Sequence, residues 1–482
     1  MNEFNPVTPP LQAAPETIYK DRSTGLTIFV LISLALLAGL VLALPAAAAE
    51  SDKLPSRLLD FSAAKQQQEL QLSRELHVAL PSEVTNFFQL ARQGDYPAMS
   101  NIVASCGAQL YAGYSSFTNG KPAWLPFWQP MTEVESAYAA FTQGGTKYPL
   151  VFGDDIIQSI PAGSIYFGGT DPGRMLVTAL CASQPKGIPF YTLTQNALAD
   201  GRYLDYLRAM YGRRIYLPTG EDSQKAFQDY TADAQRRMEL KQLKPGEDVQ
   251  VTEGRVQVSG QVAVMAINGL LVKTIFEHNT NCEFYVEESF PLDWMYPYLS
   301  PHDLIFQLNR APLPQLTGAM LDADRAFWAQ KCDAMLGGWL KPETSVSNVC
   351  AFVETVYGRK DFAHFAGDRE FVTNEFAPKA FSKLRVSLAG LYQWRVANHP
   401  GADRARLAAA ADQAFRQAFA LCPTSPEAVY RYINFLLSES RFADAVQIAQ
   451  TALKLAPENE QYAGLLKNLL SFQEQQRMQA KH

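Results

Sequence analysis

The sequence predicts an α/β plus all-α chain: a single N-terminal transmembrane helix, a central α/β domain with a mixed sheet, and a C-terminal array of helical repeats. Three observations carry the prediction. Twenty residues from Gly25 to Leu44 hold no charge. From about Tyr148 to Arg310, short β-rich runs alternate with helical ones, the pattern of a layered α/β structure. Beyond that the chain reads as helix, and its residues recur with a period of 34, the spacing of a helix-turn-helix repeat.

Composition supports a packed protein and excludes two classes. Of 482 residues, 47% are hydrophobic and 19% charged, so there is enough apolar side chain for a core and wholesale disorder is excluded. Against 42 Lys and Arg stand 48 Asp and Glu, a net charge of −6. Neutralising a phosphate backbone takes an excess of base, so nucleic acid is excluded as a partner.

Residues 1–24 form an N-terminal tail of mixed charge, and 25–44 the membrane anchor, since at 1.5 Å per residue twenty residues cross the hydrocarbon core. A cleaved secretory leader is the rival reading, because Ala46 to Ala49 offer small residues before Glu50. The length of the apolar run favours an uncleaved anchor. Lys20 and Arg22 on one side are matched by Lys53 and Arg57 on the other, so basic residues do not orient the span. The alanine tract favours a body outside the cytoplasm.

Residues 45–81 read as a Pro/Ala-rich linker and a juxtamembrane helix (Leu58 to Leu80) that Pro81 ends. Residues 82–147 read as a helical hairpin, capped by Ser82 and broken at Gly94-Asp95, followed by an aromatic loop from Trp124 to Pro130. In the α/β domain, 148–310, strands are expected at 164–167, 189–193, 214–217, 284–287 and 304–308. Asp248 to Val258 alternates with period two around Glu253-Gly254, as a hairpin does. Asp200 and Gly212 bracket one helix as cap and left-handed stop, and Val262 to Phe276, apolar on nearly every side, is expected to be the buried helix. Residues 311–376 form a helical connector and 377–482 the repeats with a capping helix.

No catalytic, cofactor-binding or metal-binding residue is assigned. Gly168 to Met175 (GGTDPGRM) nearly spells a phosphate loop, but Arg174 and Met175 stand where Lys and a hydroxyl are needed. Asp171-Pro172 instead reads as an ordinary helix start. The pairs Asp154-Asp155 and Glu287-Glu288, placed on strands, would point to opposite faces and make no dyad. The six histidines have no ligand spacing, and the six cysteines include no C-x-x-C, so neither zinc nor a dense disulfide framework is indicated. The clusters Trp124, Phe127, Trp128 and Trp294, Tyr296, Tyr298 can stack on sugar rings or pin their loops to the core.

Ala411, Phe415, Ala418 and Pro423 recur as Ala445, Ala449, Ala452 and Pro457. Over about Phe381 to Gln475 the chain thereby resembles the tetratricopeptide repeat. The resemblance implies a concave face that binds a protein partner. Carrying its register from Pro426 places Glu427, Tyr430, Asn434, Leu437 and Ser438 on that face; the competing expectation is that so short an array packs against the α/β domain.

Ile160 to Phe167, Gly169 to Asp171, Phe190 to Leu198 and Tyr203 to Leu207 resemble the soluble region of a bacterial multi-span family similar to protein O-mannosyltransferases. That resemblance implies an extracytoplasmic body, without the spans in which such enzymes keep their catalytic groups. The expected function is a membrane-anchored, non-enzymatic scaffold that binds a protein through its C-terminal repeats. The alternative is an accessory component of envelope glycosylation or carbohydrate binding, with a carbohydrate or a glycosyltransferase as partner.

Overall fold

The computed structural model describes residues 54–75, 77–113, 122–169, 172–181, 189–252, 255–287, 291–398 and 403–479. The expected anchor Gly25–Leu44, the cap at Asp171, the hairpin turn at Glu253-Gly254 and Glu288 lie outside them. Contacts divide the chain into two compact units, one of which is described over Phe227–Ile267 and the other over the remainder.

The larger unit starts with α1 (Ser56–Glu75), α2 (Ser82–Gln93), α3 (Tyr96–Gly113), α4 (Trp128–Gly144) and α5 (Lys147–Ser159). Gly94 ends α2 in the left-handed region, φ 73°, its N–H reaching back to Ala91. Ser82 does not cap α2: the cap position is Pro81, and the Ser82 hydroxyl contacts Glu83 instead. The expected aromatic loop is a short 3₁₀ turn at Leu125–Phe127 that runs straight into α4, with Trp124 and Phe127 buried. Burial decided this, because large rings and a proline at a helix start read as loop only while nothing covers them.

Strands and helices then alternate: β1 (Ile165–Gly168), α6 (Pro172–Cys181), β2 (Tyr191–Thr194), α7 (Gly201–Tyr211) and α8 (Gly220–Glu239). Next come β3 (Asp248–Thr252), β4 (Arg255–Ser259), α9 (Gly260–His278), β5 (Phe284–Glu287), β6 (Leu299–His302) and β7 (Ile305–Leu308). The main sheet is mixed, in the order β2-β1-β5-β7-β6. β1 runs parallel to β2 and β5, while β7 is antiparallel to β5 and β6. β1, β2 and β5 are buried along their length, as parallel strands covered on both faces are.

Two expectations about this region need correction. Residues 214–217 form no strand, because the Asn279 side chain accepts from the Tyr216 N–H at 2.7 Å and donates to its carbonyl at 3.0 Å, taking the place of a neighbouring strand. β6 was not among the expected strands, and it contains Pro301. It lies at the sheet edge, where a missing N–H is tolerated.

Asp200 caps α7, accepting from the Arg202 N–H at 3.0 Å. Gly212 follows with φ 60° and ψ −129°, outside the left-handed helical region yet open to glycine. α9 is buried in its second half, at Leu271, Val272, Ile275 and Phe276, but Val264 in its first half is 42% exposed. It is therefore not the fully buried helix its composition suggested. By length and composition α9 is the one described helix able to cross a membrane.

In the smaller unit β3 and β4 pair antiparallel with Val249 opposite Val258 and Val251 opposite Val256, so four valines share one face. Tyr230 donates to Glu247 at 2.8 Å, and Arg237 pairs with both Asp233 and Glu247.

The C-terminal part comprises α10 (Gly318–Leu336), α11 (Val346–Val353), α12 (Arg369–Thr373), α13 (Ala377–Asn398), α14 (Arg404–Leu421), α15 (Pro426–Ser438), α16 (Phe442–Leu455) and α17 (Glu460–Gln479). Thr317, Ser345 and Asp368 cap α10, α11 and α12 through their side chains. Residues Glu354–Gly358 continue α11 as a π turn. Successive helices from α13 to α17 pack on one another, and α11 lies against α14 and α16.

Candidate functional site

The five residues placed on the partner face all belong to α15. Pro426 opens this helix and Ser425 caps it, accepting from the Ala428 N–H at 3.4 Å. Ala428, Val429, Tyr432, Ile433, Phe435 and Leu436 are buried. The helical period therefore turns Glu427, Tyr430, Asn434, Leu437 and Ser438 outward. Asn434 and Ser438 are exposed; Glu427, Tyr430 and Leu437 are half-buried.

Three of the five have intramolecular neighbours. The Tyr430 ring leans on Tyr462 of α17 with centroids 6.2 Å apart, and its burial raises the phenol pKa above the ordinary value. Glu427 pairs with Arg431 at 3.1 Å, and the Ser438 hydroxyl donates to the Phe435 carbonyl at 2.7 Å. α13 instead docks on the α/β domain: Lys383 reaches Glu287 of β5 at 2.9 Å, and Arg395 donates to the Pro297 carbonyl at 2.9 Å.

The glycine-rich turn after β1 has a structural explanation. The last rung of the parallel strands sets Gly168 between Thr194 and Glu287. A Cβ at Gly168 would collide with the Arg174 side chain. Only glycine leaves room there, so that Arg174 can turn inward. Its guanidinium is 1% exposed and lies 2.7 Å from Glu133 of α4. Glu133 also accepts from Tyr206 at 2.7 Å and pairs with Lys65 of α1 at 2.6 Å.

Burial would raise the Glu133 pKa, but the Lys65 and Arg174 charges overcome it and hold the carboxyl at about 2. Glu69, one turn beyond Lys65, has both carboxylate oxygens buried without a hydrogen-bond partner, and burial pushes its pKa to about 9. The arrangement stitches α1, α4, α6 and α7 together with charges sealed from water. Sequence reading missed it because residues 65, 133 and 174 carry no local spacing signal.

Asp154 and Asp155 are on α5, not on a strand, and separate partners occupy them: Arg57 at 2.7 Å and Lys331 at 2.5 Å. The aromatic cluster after β5 is likewise engaged, with Tyr296 stacked on Trp394 at 5.3 Å and Trp294 tilted against Phe276 at 5.5 Å. His278 stacks on Tyr216 at 4.2 Å. Cys106, Cys332, Cys350 and Cys422 are buried. Among the described residues no group of three or more His, Cys, Asp or Glu side chains is placed to hold a metal ion. Comparison with protein-family models, with curated proteins and with solved structures finds no match to this chain.

Proposed function

We propose that the protein is a membrane-anchored, non-enzymatic scaffold, its body outside the cytoplasm, which captures an extended segment of a protein partner on the outward face of α15. The observation that carries this reading is the division of α15 into a wholly buried stripe and an outward one. On the outward stripe Asn434 and Ser438 stand exposed beside half-exposed Tyr430 and Leu437. An amide that both donates and accepts suits a peptide backbone, and the neighbouring ring and leucine add apolar area.

The array from α13 to α17 is read as tetratricopeptide-like. Ala411, Ala418, Ala445 and Ala452, 34 residues apart in pairs, are all fully buried, as residues that let helices approach closely must be. The uncharged run Gly25–Leu44 supports the anchor.

A photo-cross-linking residue at position 434, in the full-length chain in its own membranes, is expected to give one discrete protein adduct. The adduct should be lost on Ser438→Arg, while a cross-linker at exposed Gln450 of α16 gives none. Absence of the position-434 adduct, or its survival in Ser438→Arg, would overturn the reading. Extraction of the chain by alkaline carbonate would separately reject the anchor.

A further inference from the structure

The smaller unit, Phe227–Ile267, holds five of the nine large apolar side chains that the described residues leave exposed: Phe227, Leu240, Leu243, Val251 and Val264. Its sheet is the two-stranded pair β3-β4, with no third described strand on either edge. A two-stranded ribbon is marginally stable at best, and three or more strands with an apolar face are needed to stand alone. The ribbon has such a face, shared by Val249, Val251, Val256 and Val258. None of the four is buried, and Val251 is 50% exposed.

Protein sheets guard their edges, because an unpaired strand is a template for another chain. The five-stranded sheet does so on both sides. Outside β2 the Tyr211 hydroxyl accepts from the Thr192 N–H and donates to the Thr192 carbonyl, both at 3.1 Å, and the Tyr203 hydroxyl accepts from the Thr194 N–H at 2.7 Å. On the other edge β6 carries Pro301. β4 has neither device. Its register against β3 is continuous, without a bulge; it contains no proline, and its only charged residue, Arg255, stands first. Alternate residues of β4 direct N–H and C=O away from β3, and among the described residues no hydrogen bond reaches them from outside the ribbon.

Beside this edge runs a cleft of about 390 Å³, lined by Val256, Gln257, Val258 and Ser259 with Phe227 of α8 and Gln250 of β3. Side chains alternate between the two faces of a strand, so a cleft that touches four consecutive residues follows the strand itself. Phe227, 47% exposed, adds apolar surface along it.

The sequence of β4 selects the occupant. Val256-Gln257-Val258 reads the same in both directions, and Gln257 is the midpoint of the strand. A second β4 laid antiparallel about a two-fold axis at Gln257 pairs all five residues: Gln257 with Gln257, Val256 with Val258, and Arg255 with Ser259. Opposite residues share a face, so valine meets valine and glutamine meets glutamine. No like charges oppose one another, and Arg255 of each copy falls across from the Ser259 that neighbours acidic Asp248. From these features we propose that the outer edge of β4 is a self-association surface. β4 of one chain pairs with β4 of a second copy, and the two ribbons join into one four-stranded sheet with a continuous valine face. The contact is isologous, as two-fold dimers are, and it is independent of the α15 reading.

Cysteine at the axis tests this in the full-length chain in its own membranes. Opposite residues of antiparallel strands lie about 4.5–5.5 Å apart between Cα atoms, within the roughly 4.4–6.8 Å that a disulfide spans. Gln257→Cys is therefore expected to give a disulfide-linked dimer on mild oxidation. Gln250→Cys lies on the same face but three strand spacings, about 14 Å, from its copy, and should give no more dimer than the native chain, whose own cysteines set the background. Charge then tests the register. Added to Gln257→Cys, Val256→Lys with Val258→Lys sets lysine opposite lysine and should abolish the dimer, whereas Val256→Lys with Val258→Glu sets lysine opposite glutamate and should restore it. Both pairs remove the same valines, so damage to the ribbon itself would strike them alike. No dimer from Gln257→Cys, as much dimer from Gln250→Cys, or the same yield from the two charged variants would each overturn the proposal.

Discussion

The helix pairs α13–α14 and α15–α16 share the same spaced alanines, yet their leading helices meet different surroundings. Every residue from Leu384 to Tyr392 of α13 is buried, so the middle of that helix has no outward face. α15 buries one stripe and leaves the other to solvent. A helix buried on all sides must satisfy its polar groups internally. In α13, Arg385 grips Asp324 of α10 through two 2.9 Å bonds and Gln417 of α14 through one of 2.8 Å, and Ser382 donates to the Ala418 carbonyl at 2.8 Å. On the outward stripe of α15 Glu427 pairs with Arg431 and the Ser438 hydroxyl with the Phe435 carbonyl, both within the helix. The comparison teaches that a repeat pattern sets how two helices of a pair meet, while the elements around the pair decide whether a face remains free.

The sharpest way to break the contrast is to unpair the charge inside the enclosed helix. Arg385→Ala is expected to destabilise the fold by about 3–5 kcal/mol, because it strands the Asp324 carboxylate; denaturant unfolding measures it. Replacing both partners with apolar residues (Arg385→Met with Asp324→Leu) should recover most of the loss. If the double variant is as unstable as the single one, the ion pair is not the reason α13 tolerates burial.

The buried stripe of α15 should be as demanding as α13. Leu436 is fully buried, so Leu436→Ala is expected to cost about 2–5 kcal/mol through lost burial and the cavity left behind. A cost near zero would show that α15 is not part of the core.

Glu69 calibrates what an unpartnered buried acid does, as the opposite of the paired Arg385. Its folded pKa, near 9, lies above the ordinary carboxylate value, so the folded chain binds the extra proton between about pH 4.5 and about pH 9. Stability from this group is complete below that window and falls by about 1.4 kcal/mol per pH unit as pH rises through it. Glu69→Gln has no proton to lose and should flatten the slope, with its advantage growing from pH 6 to pH 8. Melting temperatures at the two pH values, with an unchanged slope as the negative result, decide the matter.

The smallest effect belongs to the outward stripe. Asn434→Ala with Ser438→Ala is expected to change stability by no more than about 0.5 kcal/mol, as exposed positions usually do. A fall in melting temperature comparable to that of Leu436→Ala would mean that this face serves the fold.

How much was legible in advance depended on the range of the interaction concerned. The alternating valines of β3 and β4, the Gly94 break between α2 and α3 and the Asp200 cap of α7 involve neighbours a few residues apart, and all could be read from local pattern. So could the division of α15 into two stripes, since one helical period separates them. Residues 214–217 misled because a lone apolar run does not reveal that an asparagine 63 positions away will occupy its backbone groups. Of the two readings of Trp124 and Phe127, sugar stacking or pinning to the core, local pattern could not choose, and both side chains are buried. Aromatic residues beside proline look alike whether solvent or a helix covers them.

By itself, then, the sequence determined the order of most helices and strands, the mixed α/β character of the middle, the inward and outward faces of α15 and the excess of acid over base. These follow from side-chain periodicity and backbone propensity, which act over one or two turns. Only the tertiary structure decided that Arg174 turns into a buried ion cluster with Glu133 and Lys65, and that the middle of α13 is enclosed while α15 is not. Each depends on which distant surfaces come together, and burial, desolvation and charge pairing have their magnitude only once those surfaces have excluded water.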